Sequence, residues 1–468
     1  MITPFFIFTS FAFVITFVDA SNDDISVLIL SQASDWDAQR ANAAKDRLLS
    51  AAESLDSKLN VFLSHADFEE SHGHWTVWTL IPRLVAQLKE SPPKWLLVCE
   101  PDTEVDLKRL LEQLSKYDSS EKRFFGKALY DRSPTIIHHY YGAGENQERN
   151  FAYPDFAGGV VLSWEAVISL ALALEARTRG DFAIDPKHEL AILLKNAGIS
   201  MENLGTFCTA NVEDESCITK YLPSYISCGH EVSENDVYFA VKTFSGYHKD
   251  RIVVVKRTWS KSANHIEYFS DIEDHFVPTV NIGIENTERG HCGKTFAIFK
   301  RFLELEELQS LGLAWLAVVD DDTLLSVPRL FKLLSCYDSS KPLIVGERYG
   351  YGFTIEGQGG YDYPTGGSGM FFTRPAVQAI IDSCQCPSND APDDMIIGMC
   401  ARRQEIPVLH SAAFHQARPD DYAEDYLNRL PPISFHKHTD VDPYKVYTDY
   451  LVERETEPEV HHHRHTEL

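Results

Sequence analysis

The stretch Trp315-Leu-Ala-Val-Val-Asp320-Asp321-Asp322-Thr323 decides how the rest of the chain is read. Its short apolar run, rich in β-branched residues, predicts a buried strand. The strand ends abruptly in three adjacent carboxylates. Three like charges repel one another and lose hydration when buried, so a fold tolerates them only where a cation or solvent compensates. At the carboxyl end of a strand in an open α/β sheet, that place is usually the ligand crevice. Hard divalent cations take oxygen ligands, and one that keeps open positions can also hold a diphosphate. The plainer reading is helix capping, because residues 324–336 are expected to be helical. Ser326-Val327-Pro328 already offers a cap, with proline near the first helical position, so three aspartates exceed what capping requires.

The same pattern recurs 220 positions earlier, as Trp95-Leu-Leu-Val-Cys-Glu100-Pro101-Asp102-Thr103. At that offset Tyr117-Asp118-Ser119-Ser120 matches Tyr337-Asp338-Ser339-Ser340, and Gly126 matches Gly346. Tyr153-Pro154 then corresponds to Tyr363-Pro364, and Gly158-Gly159 to Gly366-Gly367 after a small deletion. Ordered matches of this kind indicate two copies of one domain. Strands are expected at residues 25–30 and 237–241, and helices at 41–55 and 294–308. The alternation predicts α/β copies, each a three-layer sandwich around a mostly parallel sheet. The expected division is a signal peptide (1–20), a first copy (21–204), a cysteine-containing joint (205–234), a second copy (235–453) and a tail (454–468). In the first copy the acidic triplet has become Glu100-Pro101-Asp102, where proline fixes the backbone and removes a donor. Glu189 is the loose match to Asp394, and Phe435-His436 has no evident counterpart. The first copy is therefore expected to bind or scaffold and the second to catalyse.

A length of 468 residues implies two or three domains, and 44% apolar with 24% charged residues fits a soluble globular protein. A net charge of −26 argues against nucleic acid or an anionic membrane surface as partner. Residues 4–18 form an uncharged apolar run ending in Val18-Asp19-Ala20, which is similar to a signal-peptidase site. A signal-anchor helix is the alternative, but the strand expected at 25–30 leaves no stem, so no stable membrane span is expected. His465-Thr466-Glu467-Leu468 is similar to endoplasmic reticulum retrieval signals, with Thr466 in place of the usual Asp. Together these predict a soluble protein of the ER lumen with a retrieval receptor among its partners. Nine cysteines suit an oxidising compartment. The odd count leaves a thiol unpaired in a monomer, and Cys99, inside an apolar strand, is the candidate. Cys208, Cys217 and Cys228 cluster, as do Cys384, Cys386 and Cys400, with the connectivity open.

Three further features follow in the second copy. Tyr363-Pro-Thr-Gly366-Gly367-Ser-Gly369 is a glycine-rich turn that lets backbone approach a ligand closely. Pro392-Asp393-Asp394-Met395 opens an apolar helix, with Asp393 expected to cap it and Asp394 to face the crevice as a general base. Ile433-Ser-Phe-His436-Lys-His438 is a strand-like run carrying a histidine. A lone histidine is usually a satisfied core or surface residue; the acidic run makes this one a metal-ligand candidate. A glycosidase would also use paired carboxylates but has no need of a metal–diphosphate site. A lectin-like ER quality-control protein is the non-enzymatic alternative.

Val237-Tyr-Phe-Ala-Val-Lys242-Thr243, Tyr247-His248, Val255-Lys-Arg-Thr258-Trp259 and Gly293-Lys294-Thr295 come in order with the aspartate triplet, the glycine turn and Asp393-Asp394. Over roughly residues 235–440 this set resembles glycosyltransferase family 31, the Fringe-like β-1,3-glycosyltransferases. The duplication, the Phe414-His415-Gln-Ala-Arg-Pro419 block, the 433–438 block and the tail are similar to the branch of that family that extends O-linked fucose on thrombospondin type 1 repeats. The resemblance implies two tandem GT-A-like domains, the first non-catalytic, and transfer of glucose from UDP-glucose in β-1,3 linkage, with Mn²⁺ and with inversion. Fucosylated thrombospondin repeat proteins are the implied partners. A galactose or N-acetylglucosamine donor stays open. Carried over by position, Asp322 and His436 would ligate the metal and Asp394 would be the base. Asp320, Asp321, Lys294, Gly366 and Gly367 would lie along the donor. The metal histidine of Fringe enzymes falls on Ala417 here, which leaves His415 or His438 as fallback ligands.

Overall fold

The run Trp315–Asp320 is the central strand of a seven-stranded sheet. Across that sheet lie Thr279–Asn281, His265–Ser270, Val237–Lys242, Trp315–Asp320, Met370–Thr373, Ile344–Gly346 and Val408–His410. Only Met370–Thr373 runs against its neighbours. Along the central strands, Phe239, Val241, Ala317 and Val319 enter one core cluster, while Tyr238, Ala240, Leu316 and Val318 enter another. Helices cover both faces, which is why these strands read as unbroken apolar runs rather than alternating ones.

A computed structural model describes residues 25–132, 151–175, 182–209, 216–223, 228, 231–355 and 357–453. The expected signal peptide and tail lie outside the described residues, and no described helix is long and apolar enough to cross a membrane. The first half carries a six-stranded sheet of Glu202–Asn203, Phe124–Gly126, Val160–Ser163, Trp95–Cys99, Ile25–Ile29 and Asn60–Leu63, in that order. Here too one strand, Val160–Ser163, is antiparallel to its neighbours. The halves meet where Arg348–Tyr351 pairs with Phe182–Ala183 and where Arg429 reaches Glu100 (3.3 Å) and Asp155 (2.7 Å).

Several local expectations need correction. Residues 324–336 are not one helix: Thr323–Leu325 is a strand antiparallel to Ser434–His436, and the helix is Val327–Leu334. Ser326 takes the N-cap position but makes no side-chain cap bond. The helix expected at 41–55 starts earlier, at Asp35, because Ser34 caps it by accepting from the Asp37 amide. The one expected at 294–308 is Cys292–Glu304, broken at Leu305 before Glu306–Ser310. Residues 205–234 are more than a joint, because Thr219–Tyr221 pairs with Thr103–Val105 of the first half. The disulfides are Cys208–Cys217, Cys228–Cys336, Cys292–Cys386 and Cys384–Cys400, and Cys99 is free and buried, as expected.

Candidate active site

The sheet brings Asp320 to its carboxyl edge, and the next residues turn back on themselves. The Asp320 amide donates to Thr323 Oγ1 (3.2 Å), and Thr323 then opens the short ladder in which its partner is His436. That ladder joins segments more than a hundred residues apart. It sets His436 Nε2 3.1 Å from Asp322 Oδ1 and 3.8 Å from Asp320 Oδ2. The other ring nitrogen, Nδ1, donates to the Gln416 carbonyl (3.0 Å), which fixes the ring and aims Nε2 at the carboxylates, where its N–H donates to Asp322. Asp320, Asp322 and His436 each offer one ligand atom, all within 4.8 Å of one another.

The glycine turn serves this cluster directly. A Cβ on Gly367 would lie 2.3 Å from His436 Nδ1, so the imidazole rests against bare backbone. The Gly367 carbonyl accepts from Thr323 Oγ1 (2.8 Å), tying the turn to the aspartate loop. Gly367→Ala is therefore expected to tilt the ring and weaken divalent-cation binding by about 10–100-fold, as loss of outer-shell support commonly does. A manganese titration followed by electron paramagnetic resonance checks it.

Built-in cations share the carboxylates. Arg251 Nη1 lies 2.8 Å from Asp322 Oδ2 and 3.1 Å from Asp321 Oδ1. Burial alone would raise the Asp322 carboxyl, but the His436 hydrogen bond and Arg251 hold it well below the usual carboxylate range. His436 moves the other way, because Asp322 and Asp320 outweigh the effect of its burial. Asp321 accepts from Thr243 Oγ1 (2.7 Å) and is pushed up to about 6, chiefly by burial. It is not among the three convergent ligand atoms.

Lys242, at the end of the strand Val237–Lys242, links two parts of the site. Its buried Nζ is 3.1 Å from Asp320 Oδ1 and 2.8 Å from Asp393 Oδ2. Asp393 was expected to cap its helix. Instead Pro392 holds the cap position, and the Asp393 carboxylate takes Lys242 and the Thr295 hydroxyl (2.6 Å). Asp394, next along, is half-buried, and its Oδ1 accepts the Met395 amide (2.7 Å). Burial, then the Asp393 charge, push it up to about 7 against the Met395 and Gly366 amides and Lys242. A carboxyl poised there can exchange a proton near neutral pH. Sequence reasoning missed Lys242. The available signal was a lysine closing an otherwise apolar buried strand, a residue type almost never buried without a partner.

The remaining predicted residues divide. Lys294 is buried and donates to the Thr243 carbonyl (2.5 Å), which braces the loop after the strand Val237–Lys242. Gly366 faces open space. His415 is stacked on Phe435 (4.6 Å between centroids), edge-on to Tyr422, with Nδ1 at the Ser434 carbonyl (3.0 Å). It belongs to an aromatic cluster, outside the Asp320–Asp322–His436 group. His438 is pushed down to about 4, mainly by burial, within reach of the Asp322 and Arg251 charges. Its buried Nε2 has no hydrogen-bond partner among the described residues. Two carboxylates and an anchored imidazole are a mixed oxygen and nitrogen donor set that fits a divalent transition-metal ion with positions left open.

The first half shows what the same geometry becomes without those ligands. Thr103 pairs with Tyr221 just as Thr323 pairs with His436, so a phenol stands where the histidine would. Asp102 is held by Arg40, with Nε 3.1 Å from Oδ1. Glu189, the loose match to Asp394, lies in the first turn of the helix Pro186–Asn196. Glu189 accepts from Trp78 Nε1 (3.1 Å) and the Ile184 amide (2.9 Å).

Comparison with known proteins gives the same placement. The Fringe-like family model matches residues 54–184 and 232–465. A β-1,3-glucosyltransferase of Mus musculus is 44% identical over 441 residues, covering 93% of this chain and 88% of its own. One from Homo sapiens is 46% identical over 431 residues, covering 91% and 84%. The Fringe glycosyltransferase of Drosophila melanogaster is 32% identical over 117 residues, 24% of this chain and 28% of its own. With a family model spanning most of its length and relatives matched nearly end to end, the chain belongs to the Fringe-like family of glycosyltransferases.

Proposed function

We propose that this chain is an inverting β-1,3-glucosyltransferase that moves glucose from UDP-glucose to O-linked fucose on thrombospondin type 1 repeats, with Mn²⁺, in the ER lumen. The observation that carries the chemistry is the convergence of Asp320, Asp322 and His436 beside the helix that opens with Asp393-Asp394. Glucose as the transferred sugar follows the names of the mouse and human relatives. The nucleotide and the fucose acceptor follow the family resemblance of the motifs. Four disulfides suit the oxidising lumen.

Asp320, Asp322 and His436 would hold the cation, and a bound divalent cation supplies Lewis-acid stabilisation of the charge that develops on a leaving diphosphate. Lys242 bridges Asp320 and Asp393 and holds the Asp393 carboxyl below the usual carboxylate range against its burial. Asp394 takes the proton from the incoming sugar hydroxyl on its carboxylate. Attack from the face opposite the leaving group inverts the anomeric centre without a covalent intermediate. Because Asp394 works deprotonated and is pushed up to about 7, kcat/KM is expected to fall as pH drops through about 7. A pH–rate profile checks this, and a flat profile down to pH 5 would contradict it.

By the same reading residues 21–204, extended by the Thr219–Tyr221 strand, form a GT-A-like domain that does not catalyse. Asp102→Ala is expected to leave turnover at the wild-type level, because Arg40, not a substrate, occupies that carboxylate. Turnover abolished in a folded Asp102→Ala protein would contradict the division of labour. The function itself is tested with a panel of UDP-sugars on fucosylated thrombospondin repeats, with fucose-free repeats as control. Transfer from UDP-glucose alone supports it. Transfer from UDP-galactose or UDP-N-acetylglucosamine instead would change the donor, and no turnover by folded protein would favour the lectin-like alternative.

A further inference from the structure

A cavity of about 210 Å³ lies between the halves, where the first half would have its own catalytic crevice. Glu100, Asp102 and Tyr221, the counterparts of Asp320, Asp322 and His436, line it on one side together with Lys187. The second half closes it with Glu347, Arg348 and Arg429. We infer that this cavity is a second ligand site, shaped for one neutral monosaccharide unit and independent of the transfer reaction.

The wall chemistry selects that class. Arg40 sits on Asp102, and Arg429 on Glu100, so the positions that could attract a metal ion are filled by cations of the chain itself. A phosphate would face Glu100, Asp102 and Asp185, whereas an amine would face Arg348, Arg429 and Lys187. Neither sign of charge is welcome. A hydroxyl both donates and accepts, and so satisfies either kind of group. Arg348 and Arg429 bring guanidinium groups to the wall, and each residue is only 8% exposed. Glu347, pushed up to about 8 by burial, presents a neutral carboxyl that donates as well as accepts. Trp36 and Trp75 complete the lining with apolar surface, one face of each indole being covered by a guanidinium, Arg40 at 4.2 Å and Arg348 at 4.7 Å. The volume falls below the ~300–1,000 Å³ usual for drug-sized ligands, which limits the occupant to about one ring.

The test uses the full chain with UDP and Mn²⁺ present to occupy the catalytic crevice. Free glucose, fucose and galactose are offered at millimolar concentration and followed by saturation-transfer difference NMR, and crystals are soaked with whichever binds. The expected result is a sugar in the cavity in contact with Arg348 and Arg429. Its affinity should fall about tenfold or more in Trp36→Ala, from lost apolar burial, and stay unchanged in Asp322→Ala. Crystals of unaltered protein decide the matter even if Trp36→Ala fails to fold. Ordered water alone in the soaked cavity would overturn the inference, as would sugar binding that disappears in Asp322→Ala. A competition arm with fucosylated and fucose-free repeats names the source: displacement of the free sugar by fucosylated repeats alone assigns a glycan, and no displacement assigns a free sugar, with the chemistry as inferred in both.

Discussion

Asp394→Asn is expected to lower kcat by about 10²–10⁴-fold, the usual contribution of a positioned general base, while UDP and Mn²⁺ bind as in the unaltered protein. The substitution keeps the side chain's shape and its acceptor for the Met395 amide (2.7 Å), so the helix Asp393–Arg403 should start unchanged. It removes only the capacity to accept a proton. The acidic neighbour cannot substitute, because the Asp393 carboxylate is committed to Lys242 (2.8 Å) and to Thr295 (2.6 Å), which hold its pKa down against burial. Adjacent carboxylates driven apart in this way are the pattern that assigns acid and base roles. Single-turnover transfer measured beside calorimetric UDP binding separates the two effects. Substantial transfer in this variant would move the base elsewhere.

Asp322→Asn has the second large effect, on a different step. Asp322 is the carboxylate that joins the cluster together, meeting His436 at 3.1 Å and Arg251 at 2.8 Å. An amide cannot ligate as an anion, and it leaves Arg251 and His436 facing each other with half their compensation gone. Metal-dependent UDP binding is expected to fall by more than about 100-fold, beyond what changes in outer-shell partners cause. Transfer should be lost with it, at any substrate concentration the assay can reach. Calorimetry with UDP, with and without Mn²⁺, provides the check: metal-dependent binding retained at full strength would remove Asp322 from the site.

The fold was legible where a signal is local and strong. The Trp315–Asp320 strand announced itself because both faces are buried, and its repeat at Trp95–Cys99 foretold a second sheet, which lacks only the edge strand Thr279–Asn281. What escaped is carried by pairing over long distances. Leu324 and Leu325 look helical from their neighbours, yet the ladder to Phe435 and Ser434 holds them as a strand. Tyr221, in the place of the histidine, could not be found while residues 205–234 were read as a joint. The carboxylates and His436 were nameable from their motifs, but the partners that set their charge were not. Lys242 bridges Asp320 and Asp393 across three segments of chain, and Lys294 turned out to brace a carbonyl. Nor does spacing reveal that Gly367 is bare so that the imidazole can lie against it.

The central claim is that a cation seated between the aspartate loop and the Ser434–His436 strand grips the sugar nucleotide. Crystals soaked in Mn²⁺ and UDP, with anomalous scattering collected near the manganese edge, test it most directly. The account predicts one strong peak within coordination distance of Asp322, Asp320 and His436, with the UDP diphosphate on its open side and Asp394 free to face the acceptor. Manganese and UDP bound elsewhere, with that cluster still closed on Arg251 and Lys242, would contradict it.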